Sequence, residues 1–147
     1  AAARQRGIPI KLTCDSMPSN QSARDFVRYR AQRDRLIAMG IQIREFKPEF
    51  QAEHSGISRN THAILIDQNS FYTGHFKLFA DARTSVPASA FIIKDPMIIN
   101  RVAAALEHNF TSQQVWNPQT DQPDQEAGLW RKFAYRLLGW WQAFREE

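Results

Sequence analysis

The chain has 147 residues, a length typical of one domain or of one half of a larger pseudo-symmetric domain. Hydrophobic residues make up 43% of it, enough for a core, and a single cysteine excludes an internal disulfide. The formal net charge of +4 favours anionic partners such as phospholipid headgroups, nucleic acid or phosphate esters. No apolar stretch is long enough to span a membrane, no signal peptide is recognisable, and the abrupt start is typical of a fragment.

The first third of the chain alternates between strand and helix patterns. Residues 8–14 and 41–47 alternate apolar and polar side chains, and each predicts a half-buried strand. Between them, residues 23–39 predict a helix, which Ser22 caps at its start and Gly40 ends. We interpret the arginines of this helix as a solvated face rather than as an anion-binding surface: Arg24, Arg28, Arg30, Arg33 and Arg35.

The middle of the chain has the pattern of a hairpin followed by a strand and a helix. Residues 61–67 predict a strand, 68–70 a turn, 71–78 the returning strand and 89–94 a further strand. Asp95 and Pro96 indicate the start of a helix whose apolar residues recur at helical spacing. This order predicts an α/β domain, a mixed sheet between layers of helices.

The end of the chain has a different composition. We predict a first domain over residues 1–117, a linker over 118–125 and a basic, aromatic, amphipathic helix over 126–147. Cations beside a Trp-rich face are typical of a helix lying in a membrane interface. The predicted lipid-contact residues are Trp130, Arg131, Lys132, Arg136, Trp140 and Trp141. The alternative is a helix docked on this domain or on a missing N-terminal half.

One stretch, THAILIDQNSFYTGHFKLFADAR at residues 61–83, carries the candidate catalytic residues His62, Asp67, His75 and Lys77. It resembles a damaged His-x-Lys-x4-Asp motif of the phospholipase D superfamily. With the flanking segments it is most similar to the C-terminal half of bacterial cardiolipin synthases. The resemblance implies a layered α/β/α fold and a histidine that attacks phosphorus to form a phosphohistidine.

The departures from that family motif concern the phosphate-binding donors. Ile64 stands where the family has its lysine, and Lys77 stands where it has an asparagine. His75 follows Gly74 where a serine or threonine is expected, and the run from His62 to Asp67 is two residues short. A substitute motif, His75-x-Lys77 followed by Asp81, would make His75 the nucleophile and Lys77 the cationic donor.

The resemblance implies a phosphatidyltransferase of phospholipid biosynthesis, impaired in this chain by the degenerate active site. It further implies no metal or organic cofactor, and a peripheral location on the cytoplasmic side of the bacterial inner membrane. The expected partners are an anionic membrane surface and a second phospholipase D-like half or a homodimer, with nucleic acid less favoured. Two alternatives stay open: a non-catalytic module that binds anionic membranes, and a homodimeric nuclease of the same superfamily.

Overall fold

The computed structural model describes residues 6–20, 22–49, 62–75 and 89–143. These residues form a mixed α/β structure, as the element order of the sequence predicts. It contains three α-helices and two small sheets instead of the single mixed sheet expected, and the layered arrangement stays a prediction. The chain divides into two compact units, residues 1–53 with 112–147 and residues 54–111. The predicted domain boundaries after residues 117 and 125 stay predictions.

The first unit contains a three-stranded sheet, two α-helices and a short 3-10 helix. Its elements are β1 (Lys11–Asp15), α1 (Ala23–Ala38), β2 (Gln42–Phe46), β6 (Val115–Trp116), the 3-10 helix Pro123–Glu126 and α3 (Leu129–Ala143). β2 lies between β1, to which it is parallel, and β6, to which it is antiparallel. The sequence shows neither β6 nor the 3-10 helix, because a strand of two residues and a single 3-10 turn are too short to produce a periodicity.

Local capping explains why α1 begins and ends where it does. The Ser22 hydroxyl accepts a hydrogen bond from the Asp25 backbone N–H and donates one to the Asp25 side-chain carboxylate. At the other end Gly40 has φ 77°, a left-handed conformation that glycine adopts without strain. Between these ends, Phe26 and Tyr29 of α1 pack into the core of the first unit. The other buried residues of this core are Met17, Ile43, Ala127 and Tyr135.

The second unit is an antiparallel meander with one helix. Its elements are β3 (His62–Ile66), β4 (Ser70–His75), β5 (Ser89–Ile93) and α2 (Pro96–Thr111), and α2 packs against β3 and β4. As predicted, Asp95 caps α2: its carboxylate accepts a hydrogen bond from the Ile98 N–H at 3.0 Å. The β3–β4 turn differs from the prediction, since Asp67 belongs to the turn and not to the strand.

A close approach of β4 and β5 requires glycine at position 74. A Cβ built there would lie 2.1 Å from the Ser89 carbonyl oxygen, a distance at which the backbone has to move. We expect Gly74→Ala to destabilise the second unit by about 2 kcal/mol or more, because a packed backbone cannot yield cheaply. Urea unfolding and amide hydrogen exchange of residues 62–75 and 89–93 measure this loss.

Gly128→Ala is the matched control for that substitution. A Cβ at Gly128 meets nothing within 4 Å, so the change should be neutral or slightly stabilising. Equal unfolding midpoints for the two alanine variants would contradict the proposed crowding at Gly74.

Candidate functional site

The helix α3 is held on the first unit by one of its faces. The Tyr135 ring is buried and meets the Phe26 ring edge to face, with centroids 5.1 Å apart. The backbone of α3 passes close to α1 at Gly139, where an added Cβ would lie 3.8 Å from a methyl carbon of Val27, an ordinary van der Waals contact. The burial of Tyr135 also raises the pKa of its phenol, chiefly through desolvation.

Two cations of α3 are bound to backbone carbonyls. The Arg131 guanidinium donates through Nη1 to the carbonyl oxygens of Met17, Pro18 and Asn20 at 3.2, 2.6 and 3.2 Å. The Lys132 ammonium donates to the Gln125 carbonyl oxygen at 2.7 Å. Two of the three predicted lipid-contact cations, Arg131 and Lys132, therefore tie α3 to neighbouring loops of its own unit.

The opposite face of α3 exposes large apolar side chains. Trp130 is 85% exposed, and Phe133, Leu137 and Trp140 are 62%, 57% and 63% exposed. At about 100° per residue these four side chains lie roughly 140–160° around the helix from Tyr135. Leu129, 83% exposed, flanks the same face. We call these five residues, Leu129, Trp130, Phe133, Leu137 and Trp140, the aromatic face.

α3 itself places no negative charge beside the aromatic face, because residues 129–143 include neither aspartate nor glutamate. Arg136 is exposed at its margin. Trp141 also belongs to α3, but the structure does not describe the position of its side chain. A contiguous exposed apolar surface of this kind usually marks an interaction site.

The predicted catalytic residues are only partly brought together. His62 is half-buried at the start of β3, and its backbone pairs with Gly74, so His75 is the next residue along the neighbouring strand. Asp67 lies at the other end of the hairpin, about 16 Å along β3 from His62 at a strand rise of 3.3 Å per residue. Lys77 and Asp81 fall outside the described residues.

The conformation of Asp67 has a local explanation. Asp67 and Gln68 both have φ 51°, and the Asn69 N–H donates to the Ile66 carbonyl at 2.9 Å. Aspartate tolerates this left-handed conformation better than most residues. Asp67 is exposed and belongs to the turn, at the end of β3 opposite to His62.

Sequence reasoning missed a buried charge network in the first unit. Glu45 is completely buried, and its Oε1 accepts hydrogen bonds from the Tyr29 hydroxyl at 2.8 Å and from Arg33 Nη1 at 2.9 Å. Arg33 also makes a two-pronged contact with Asp124, at 3.0 and 2.7 Å. Arg33 is therefore not part of a solvated face, although Arg30 and Asp34 at the margin are partly exposed.

The electrostatics of that network follow from its burial. Desolvation raises the pKa of Glu45, and the charge of Arg33 opposes the rise. For Arg33, burial alone would lower the pKa, but the hydrogen bonds to Asp124 and the charge of Glu45 raise it. Glu45 Oε2 and Arg33 Nε have no hydrogen-bond partner. The network lies inside the unit and ties α1, β2 and the 3-10 helix together.

The described residues contain no group of three or more His, Cys, Asp or Glu side chains placed to hold a metal ion. In the same part of the chain, no helix combines the length and the apolar character that crossing a bilayer requires. No protein-family model, curated protein or solved structure matches this chain. The resemblance to the phospholipase D superfamily therefore stays a prediction from the sequence, as does the homodimeric nuclease.

Proposed function

We propose that this chain is a peripheral membrane-binding module whose contact surface is the aromatic face of α3. One observation carries the proposal: the large apolar side chains of α3 face solvent on the side opposite Tyr135. Tryptophan side chains have an apolar body and a polar N–H, which suits the boundary between headgroups and acyl chains. A helix lying flat in that boundary buries such a face by about 5–10 Å.

The charge of the chain supports a lipid partner rather than a neutral surface. The net charge of +4 attracts the chain to anionic phospholipids at distances within the Debye length. Arg136, exposed beside the aromatic face, is placed to meet a headgroup phosphate. The cytoplasmic side of the bacterial inner membrane, an anionic surface, is the location we propose.

The experiment that tests this function is co-sedimentation of the intact chain with phospholipid vesicles. Removing the terminal helix is unsuitable as a comparison, because Tyr135 belongs to the core and its loss would disturb the packing of the first unit as well as remove the aromatic face. Substituting only exposed residues of the aromatic face keeps the core intact. Absence of binding to vesicles of any composition would disprove the proposal.

A remnant of phospholipase D-type phosphatidyl transfer is the second candidate. Its support is the sequence resemblance of residues 61–83 to the family motif, which lies on the β3–β4 hairpin. The proposed fold is then the layered phospholipase D-like half-domain, with a second half or a second copy completing the site. Asp67 has no role in this version, since it lies at the far end of the hairpin.

We expect little or no phosphatidyl transfer by the isolated chain. Ile64 occupies the position of the family lysine, so no cation there stabilises the charge that develops on phosphate. Incubation with labelled phospholipid should give no more phosphohistidine in the wild type than in His62→Ala. If the wild type is labelled and His62→Ala abolishes the labelling, the expectation is contradicted and the chain is an active enzyme that uses His62.

A further inference from the structure

We infer that Glu45 is a proton-binding site of the first unit, and that a proton on its Oε2 atom decides how Arg33 is shared between two carboxylates. With Glu45 ionised, Glu45 and Asp124 compete for one guanidinium. With Glu45 protonated, the charge of Arg33 is left to Asp124, and the first unit is more stable in mildly acidic than in neutral solution. This conformational device is independent of the proposed membrane function.

The hydrogen bonds of the Glu45 side chain are all made by one of its two oxygens. Oε1 accepts from the Tyr29 hydroxyl at 2.8 Å and from Arg33 Nη1 at 2.9 Å, whereas no donor among the described residues reaches Oε2. A carboxylate spreads its charge over both oxygens, so a buried Oε2 without a donor is costly in the ionised state. In the protonated acid, Oε1 is the carbonyl oxygen and keeps both hydrogen bonds, while Oε2 carries the proton.

The groups that face Glu45 provide less positive charge than its complete burial requires. The titratable groups around it come from three elements: Cys14 from β1, Tyr29 and Arg33 from α1, and Asp124 from the 3-10 helix. In β6 the residue paired with Glu45 is Trp116, which carries no charge. Arg33 is the cation that donates to Glu45, and the same guanidinium contacts Asp124 at 3.0 and 2.7 Å. One positive charge therefore serves two carboxylates.

Protonation of Glu45 removes one of the two competitors for Arg33. Desolvation raises the pKa of Glu45, the charge of Arg33 opposes the rise, and the charge of Asp124 adds to it. Because the pKa is higher in the folded than in the unfolded chain, the folded unit takes up the proton first as the pH falls. The resulting stability is complete below the ordinary glutamate pKa of about 4.3 and is lost as the pH rises through the folded value.

The distribution of histidine and tryptophan along the chain isolates this titration. All four histidines lie within residues 54–111, and all four tryptophans lie within residues 112–147 of the first unit. Tryptophan fluorescence therefore follows the first unit, in which no histidine titrates between about pH 5 and 8.

Urea unfolding of the full chain at several pH values tests the inference. The midpoint of the wild type should rise as the pH is lowered from about 8 to about 5. Glu45→Gln keeps the shape of the neutral acid, so its midpoint should stay nearly constant over the same range. A wild-type midpoint that is flat, or that changes in parallel with that of Glu45→Gln, would overturn the inference.

A second measurement observes the proton directly and does not require Glu45→Gln to fold. In the wild type labelled with carbon-13 at its glutamate carboxyl groups, one resonance should titrate at a higher pH than the others. Asp124→Asn removes the competing carboxylate and should move this titration to lower pH, whereas the matched change Asp34→Ala, at the exposed margin, should leave it in place. Titration of every glutamate near about pH 4.3 would overturn the inference. An unmoved titration in Asp124→Asn would overturn the sharing of Arg33.

Discussion

The variant Trp130→Ala, Phe133→Ala, Trp140→Ala should bind vesicles about 100-fold more weakly than the wild type. Full burial of a large apolar side chain is worth about 1.5–3 kcal/mol, and partial insertion of three such side chains gives about 3 kcal/mol in total. All three are more than half exposed, so their removal leaves the core unchanged. Co-sedimentation with small anionic vesicles measures the effect, and circular dichroism checks that the helix persists.

The chain offers a matched control for that experiment in its second unit. Phe91 and Met97 are 70% and 64% exposed, so Phe91→Ala, Met97→Ala removes similar apolar side chains from a different surface. This variant should bind vesicles like the wild type. Equal losses in the two variants would show that binding follows general hydrophobicity and not the aromatic face.

Arg33→Ala should lower the free energy of unfolding of the first unit by about 3–5 kcal/mol. The substitution leaves the carboxylate of Glu45 completely buried with only the Tyr29 hydroxyl as a partner. Breaking a buried ion pair from one side is costly because an uncompensated charge stays in a medium of low dielectric constant. Urea denaturation followed by tryptophan fluorescence measures the loss.

Two further variants keep this expectation testable if Arg33→Ala unfolds the protein. Adding Glu45→Gln to Arg33→Ala removes the stranded charge and should recover part of the lost stability. Asp34→Ala, which breaks an exposed contact of 3.2 Å with Arg30, should change stability by less than about 0.5 kcal/mol. Failure of Glu45→Gln to rescue Arg33→Ala would mean that the buried pair is not the source of the loss.

Much of the fold is foreseeable from local signals. Ser22, Gly40, Asp95 and Pro96 mark helix ends because capping and left-handed glycine are local effects. The strand at 41–47 follows from alternation, which a half-buried strand requires, and the strand at 61–67 follows from its short apolar run. The short strand Val115–Trp116 is invisible in the sequence because its pairing with Glu45 and Phe46 is entirely non-local.

Two sequence patterns disagree about the residues of the buried charge network: the periodicity of each element places them on inward faces, whereas their charge suggests exposure. Arg33 lies four residues after Tyr29 and seven after Phe26, on the same face of α1 as these core residues. Glu45 lies two residues after the buried Ile43 in β2, so alternation places it inside as well. Two opposite charges on inward faces predict a buried pair, whereas counting arginines suggests a solvated helix.

The candidate site was foreseeable only in its apolar part. The spacing of Trp130, Phe133 and Trp140 indicates one face of a helix, and these residues are exposed there. The partners of Arg131 are backbone carbonyls more than 110 residues earlier in the chain, which no local pattern encodes. Which cations remain available to a ligand is therefore a property of the tertiary structure.

The interleaving of the two units sets an order of events during synthesis. Residues 54–111 form a continuous stretch, so their meander and helix can be completed as soon as they leave the ribosome. Arg33 and Glu45 are made early, but Asp124 lies 91 residues after Arg33. The core of the first unit lacks Ala127 and Tyr135 until residues 112–143 are made, so the apolar side chains of its earlier part stay uncovered on the nascent chain for longer than those of the second unit.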